Sequence, residues 1–140
     1  MLRVDFAFLA DYARADNAAI TAVGAGRRTL ELPEFLRNAT YDVFIAGRVL
    51  STPDQDPVLV FGIQSPNREV NMTIEVPLGS GPSLPQSDEV PALFAFRAPL
   101  PMVEEGDWTF TIAHAGEVLS SMTLSISFTE EGLYTEVRPN

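Results

Sequence analysis

The chain is 140 residues long, with 46% hydrophobic residues and no cysteine. A chain of that length buries about two-thirds of its unfolded surface, so one domain can hold its own core, and the missing thiols exclude disulfides, thiolate nucleophiles and cysteine-based metal sites. Acidic residues number 19 against 9 basic ones, all of them arginine, for a net charge of −10. That balance sets the chain against nucleic acid and anionic membranes.

The N-terminal run MLRVDFAFLADYARAD is interrupted by Asp5 and closed by Asp11, with no cleavage-type segment after it. It is therefore not expected to be a signal peptide. No stretch approaches the ~18 uninterrupted apolar residues of a membrane span. The expectation is a soluble, cytoplasmic protein, or a virion component if the chain is phage-encoded.

Leu2, Val4, Phe6 and Phe8 alternate with Arg3, Asp5 and Ala7, which predicts a first strand with those four residues on one face. DYARADNA reads as a loop. Ile20 to Arg28 reads as a second strand of small residues, and Pro33 then breaks extended pairing. Glu34 to Arg37 is the one candidate for a helical turn. Tyr41, Val43, Ile45 and Val49 form one face of a third strand. After the loop STPDQDP, the unbroken apolar run Val58 to Ile63 predicts a central strand covered on both faces. Val70, Met72, Ile74 and Val76 alternate with Asn71, Thr73 and Glu75. LGSGPSLPQSDEVP is the longest loop, and ALFAFRA follows as a strand. Trp108, Phe110 and Ile112 lead to a reversal at Ala115-Gly116. Glycine there supplies the positive φ that a tight hairpin needs; because Ala115 fits a two-residue type I′ turn poorly, a longer loop with a bulge is the alternative. Met122, Leu124, Ile126 and Phe128 alternate with serines and a threonine in the last strand.

About eight short strands, 11 prolines and no window of helical period together predict an all-β fold. Its form is a single antiparallel β-sandwich of the immunoglobulin-like, Greek-key kind over residues 1–128, with an acidic tail at 129–140.

AITAVGAGRRTLEL superficially resembles a phosphate-cradling turn. A dinucleotide fingerprint needs a third glycine three residues after Gly26, opening a helix; Thr29 stands there, and Pro33 follows within four residues. Gly24 to Gly26 is read as a bulge or a close packing point instead. His114 is the only histidine, and no G-x-S-x-G elbow is present. Its parity with Trp108, Phe110 and Ile112 makes it a structural residue rather than a general base. Zinc lacks its ligands. Asp54 and Asp56 in one loop, and Glu104, Glu105 and Asp107 in another, are weak candidates for calcium, read first as solvated acidic turns. Glu75 lies on an outward face, which removes it as a buried general acid. Of thirteen aromatic residues, Trp108 and most phenylalanines have core parity, whereas Tyr12 and Tyr134 are expected to be exposed. The C-terminal TEEGLYTEVRPN places Leu133, Tyr134 and Val137 among charges, as an interaction arm would.

VDFAFLADYA, NAAITAVGAGRRTLELPEF and GDWTFTIAHAGEVLSSMTLSI together resemble an uncharacterised bacterial β-sandwich family, a domain of unknown function. Its members share an N-terminal F-A-x-L-x-D-Y-A run, here Phe6 to Ala13, and a closing hairpin, here Gly106, Trp108, Phe110, Ile112, Gly116 and Glu117. The chain departs from it in reading Pro33-Glu34-Phe35 where the family has Phe-Pro. The resemblance implies the sandwich and carries over no activity or catalytic residue.

The sequence therefore predicts a non-enzymatic structural or protein-interaction module without cofactors. It is a subunit or accessory protein of a larger assembly such as a phage particle, with protein partners (itself or others) met through Tyr12, Leu133, Tyr134 and Val137. The alternatives are a glycan- or calcium-binding module using Tyr12, Tyr41 or Tyr134 near Asp54 and Asp56, and a hydrolase centred on His114.

Overall fold

Alternation of apolar and polar residues builds strands that bury one face, and two such sheets must meet face to face. The computed structural model describes residues 2–16, 18–52, 57–78 and 89–129. In chain order the elements are β1 (Arg3–Ala10), β2 (Tyr12–Ala15), β3 (Ile20–Val23), β4 (Thr29–Pro33), a 3-10 turn at Glu34–Leu36, β5 (Thr40–Ser51), β6 (Val58–Gln64), β7 (Asn71–Pro77), β8 (Val90–Pro101), β9 (Gly106–His114) and β10 (Glu117–Thr129).

They form a three-stranded sheet in the order β1-β5-β8, a five-stranded sheet in the order β4-β10-β9-β6-β7, and a separate β2-β3 hairpin. The chain passes from one sheet to the other between β1 and β4, by way of the hairpin, and again at β4–β5, β5–β6, β7–β8 and β8–β9, which is the Greek-key winding of an immunoglobulin-like sandwich. Pairing is antiparallel except between β4 and β10, which run parallel from Thr29 and Ser125 to Pro33 and Thr129. The core lies between the sheets. Trp108, Phe61, Phe110, Ile45, Leu59 and Ile63 are among its fully buried side chains. The Trp108 indole N–H donates to the Glu104 carbonyl oxygen at 3.1 Å.

Several expectations are corrected. DYARADNA is not wholly loop, since Tyr12–Ala15 is a strand paired with Ile20–Val23. The strand expected from Ile20 to Arg28 breaks at Val23, where Gly24 and Gly26 take positive φ values of 67° and 81°. Val58–Gln64 is central in the sheet, yet its burial alternates, with Leu59, Phe61 and Ile63 buried and Val58 exposed. At the β9–β10 connection the tight hairpin holds and the longer loop does not form: His114 pairs with Glu117, and Ala115 accepts a φ of 51°. The expected bulge lies just beyond it, between Val118 and Ser120.

The correction with most consequence is in β1. Its register against β5 slips between Val4 and Phe6, leaving Asp5 as a bulge. An extra residue in a strand exchanges its faces. Leu2 and Val4 point into the core, but beyond the bulge it is Ala7 and Leu9 that do so. Phe6 and Phe8 are turned to the outside. Gly47 permits this approach: a Cβ there would meet the Phe6 carbonyl, the Ala7 Cα and the Phe94 ring.

Candidate functional site: the outer face of the three-stranded sheet

The register of β1, β5 and β8 sets three rows across the outer face: Phe6, Arg48 and Leu93; Phe8, Ala46 and Ala95; Ala10, Phe44 and Arg97. An outer face so rich in apolar residues calls for a cover, and the β2–β3 hairpin supplies part of one. Ala10 and Ala46 are buried beneath it and meet Ala13 of the hairpin itself, with Phe8, Ile20, Ala22, Phe44 and Ala95 packed around them. The Tyr12 ring lies on Phe44 with centroids 5.2 Å apart. Small residues at the contact let the two backbone layers come close.

Local chemistry fixes the hairpin at both ends. At its tip the Asp16 carboxylate accepts the Ala18 and Ala19 N–H groups at 2.7 and 2.9 Å. These two bonds hold the Asp16 carboxyl below its ordinary range. At its base the Gly24–Arg28 turn folds back onto β1, where the Leu9 carbonyl accepts the Gly26 and Arg27 N–H groups. The Asp11 carboxylate occupies the space where Gly24 lacks a side chain. Arg27 grips that carboxylate at 2.6 and 2.8 Å, which raises the guanidinium above its usual range. The glycine pair that superficially suggested a phosphate turn is thus a fastening for the hairpin.

The cover is incomplete. Phe6 remains 42% exposed, with Phe8 beside it at 6.4 Å and nearly parallel. Between these rings and the hairpin runs a groove of about 380 Å³, lined by Ala18, Ala19, Ile20, Ala22, Arg48 and Leu93 as well as the two phenylalanines. Its rim is charged and paired. Arg48 Nε bonds Asp5 at 2.8 Å, and Arg3 bonds Glu89 at 3.0 Å. Asp5, the bulged residue that turns Phe6 outward, therefore also anchors the rim.

No family profile matches the chain, and no curated protein matches it. Among solved structures it is similar to an immunoglobulin-like protein from Pseudomonas aeruginosa, at 12% identity and a TM-score of 0.47, over 91% of this chain and 97% of that one.

Of the residues singled out from sequence, Tyr12 lies on this face and is exposed. Tyr41 packs against the inner core instead, so the two tyrosines are not brought together. Asp54, Asp56, Leu133, Tyr134 and Val137 lie outside the described residues. Glu104, Glu105 and Asp107 point to separate partners: the Asn67 N–H at 2.9 Å, the Phe128 N–H at 2.8 Å and the Ser125 hydroxyl at 2.5 Å. Among the described residues no group of three or more acidic or histidine side chains is arranged to hold a metal ion. His114 Nδ1 lies 3.2 Å from the Val58 carbonyl oxygen, a contact that requires a proton on Nδ1. Among the described residues no helix is long and apolar enough to cross a membrane.

Phe6, Phe8 and Phe44 were the residues missed. Phe44 was within reach, because it has the opposite parity to Val43 and Ile45. Phe6 and Phe8 were not, because the bulge that reverses their face leaves no mark in the alternation.

Proposed function

We propose that the chain is a non-enzymatic β-sandwich module that works by contact with another protein, and that the contact is made on the outer face of the β1-β5-β8 sheet. The observation that supports this reading is the Phe6–Phe8 pair, held outward over an apolar groove by the Asp5 bulge. An exposed aromatic pair beside a concave apolar floor, ringed by charges, has the make-up of an interface anchor. The groove suits one or two apolar side chains of a partner. Its paired rim charges suit register rather than affinity.

The test places a photo-crosslinking amino acid at Leu93 on the groove wall, in the wild-type and Phe6→Ser backgrounds, in the cells that make the protein. A discrete protein adduct in the first and not in the second is expected, with the thermal midpoint unchanged. Adducts that are equal in the two backgrounds, or equal to those from a crosslinker at Glu75 on β7, would sink the assignment of the face.

A further inference from the structure

The strongest feature outside that face is the edge of the other sheet. β10 pairs with β9 along most of its length, but β4 covers its second side only from Ser125 onward. Where β4 begins, the Arg28 carbonyl accepts the Ser125 N–H at 2.9 Å. Among the described residues, no backbone hydrogen bond between elements reaches the second side of Glu117–Leu124. An unpaired strand edge is a template for another strand unless proline or charge blunts it. The other edges of the two sheets carry charge or proline: β8 has Pro91, Pro99 and Pro101, β7 has Glu75 and Pro77, β4 has Glu31 and Pro33, and β1 has Arg3 and Asp5. β10 has neither a charge nor a proline from Val118 to Thr129. Its bulge near Leu119 bends the start of the strand and turns Leu119 onto the core, leaving Ser120 to Leu124 regular. Beside this edge, between the sheets, lies a groove of about 360 Å³ lined in part by Phe8, Leu9, Arg28, Ser121 and Met122.

We infer that this edge joins two copies of the chain about a two-fold axis, Glu117–Leu124 of each copy pairing antiparallel with the same segment of the other. Two considerations select a second copy as the occupant. A chain with a net charge of −10 repels its own kind, so two copies meet best where the surface bears no charge. The geometry also closes. Placing Glu117 opposite Leu124 of the second copy ends the pairing where that copy's β4 begins, sets each Leu119 bulge against the regular Met122 of the other copy, and brings Glu117 beside that copy's Arg28. Neither Glu117 nor Arg28 has an ion-pair partner among the described residues. The symmetry supplies that pair twice, and the main-chain ladder supplies the attraction.

Light scattering of the full chain from micromolar to millimolar concentration tests this. The expected mass is twice 15.3 kDa. Arg28→Glu and Glu117→Arg should each weaken the dimer about tenfold or more, since each sets like charges together, and the double charge reversal should restore it. Both side chains are exposed, so the variants keep the fold. Amide exchange at Val118 to Leu124 should slow as concentration rises. A monomer at every concentration overturns the inference. So does a dimer indifferent to both charge reversals, or one lost on removing residues 130–140 while Arg28→Glu leaves it intact. The proposed partner face lies on the other sheet, so Phe6→Ser should leave the mass unchanged, and either proposal can fail alone.

Discussion

The two faces of the β1-β5-β8 sheet carry two apolar clusters of different kinds. On the inner face Val43, Ile45, Val49, Phe94 and Leu100 meet Phe61, Trp108 and Phe110 from the opposite sheet, nearly all free of solvent. On the outer face the buried centre is three alanines, Ala10, Ala13 and Ala46, ringed by half-buried Phe8, Phe44 and Ile20. A large side chain contributes about 1.5–3 kcal/mol when fully buried, and an alanine only a fraction of that. The inner cluster therefore decides whether the chain folds. The outer one decides only where the hairpin rests, and its small centre leaves the aromatic flank uncovered.

The largest effect should come from the inner cluster. Phe61 is fully buried and meets Phe94 and Phe96 at centroid distances of 5.3 and 4.4 Å. Phe61→Ala should cost about 3–5 kcal/mol in urea unfolding, through lost burial and the cavity left behind. The β2–β3 hairpin should be lost in the same transition. A cost below about 1 kcal/mol would mean that the inner cluster is not the one holding the fold.

An intermediate effect distinguishes the outer cluster. Ala46 has no exposed surface and lies beneath the hairpin, where a larger side chain has no room. Ala46→Leu should cost about 1–3 kcal/mol by overpacking. The damage should be local, because the hairpin can lift from the sheet. Amide protection in Tyr12–Ala15 and Ile20–Val23 should fall while that of β9 persists. Equal loss in both would merge the two clusters into one cooperative core.

The difference between the clusters also tracks what could be read from the sequence. The inner cluster was legible because large apolar residues recur at period two. Val43, Ile45 and Val49 mark one face of β5, and Trp108, Phe110 and Ile112 mark one face of β9. The outer cluster was largely hidden. Alanine is a weak marker of a buried or an exposed face, so Tyr12–Ala15 read as loop. Asp5 in an alternating run looks like any outward residue, and only the register against Arg48 and Val49 shows that it is a bulge. The parallel β4–β10 pair was hidden because Thr29–Pro33 is short and ends in proline. Tyr12 was rightly expected to be exposed, but its neighbours Phe6 and Phe8 were assigned to the wrong side of β1.

The smallest effect should be a pH dependence confined to the hairpin. The Asp16 carboxyl sits below its usual value of 3.8 because the Ala18 and Ala19 N–H groups bond its ionised form. A group whose folded pKa is depressed stabilises the fold fully above its unfolded pKa, and that contribution is lost as pH falls through the folded value. The hairpin tip should therefore hold at neutral pH and loosen only below about pH 4. Glu34 shifts in the same direction through Arg37, but it lies on the 3-10 turn, so site-specific signals separate the two. In NMR spectra the Ala18 and Ala19 amides and the Ile20 methyls should move together with acid, while the Trp108 indole signal stays fixed. Asp16→Asn keeps an acceptor without the titration and should flatten that response. Asp16→Ala should give the acid-state signals at neutral pH. If the Trp108 signal followed the hairpin instead, the outer cluster would be coupled to the core, and its uncovered aromatic flank could not move independently of it.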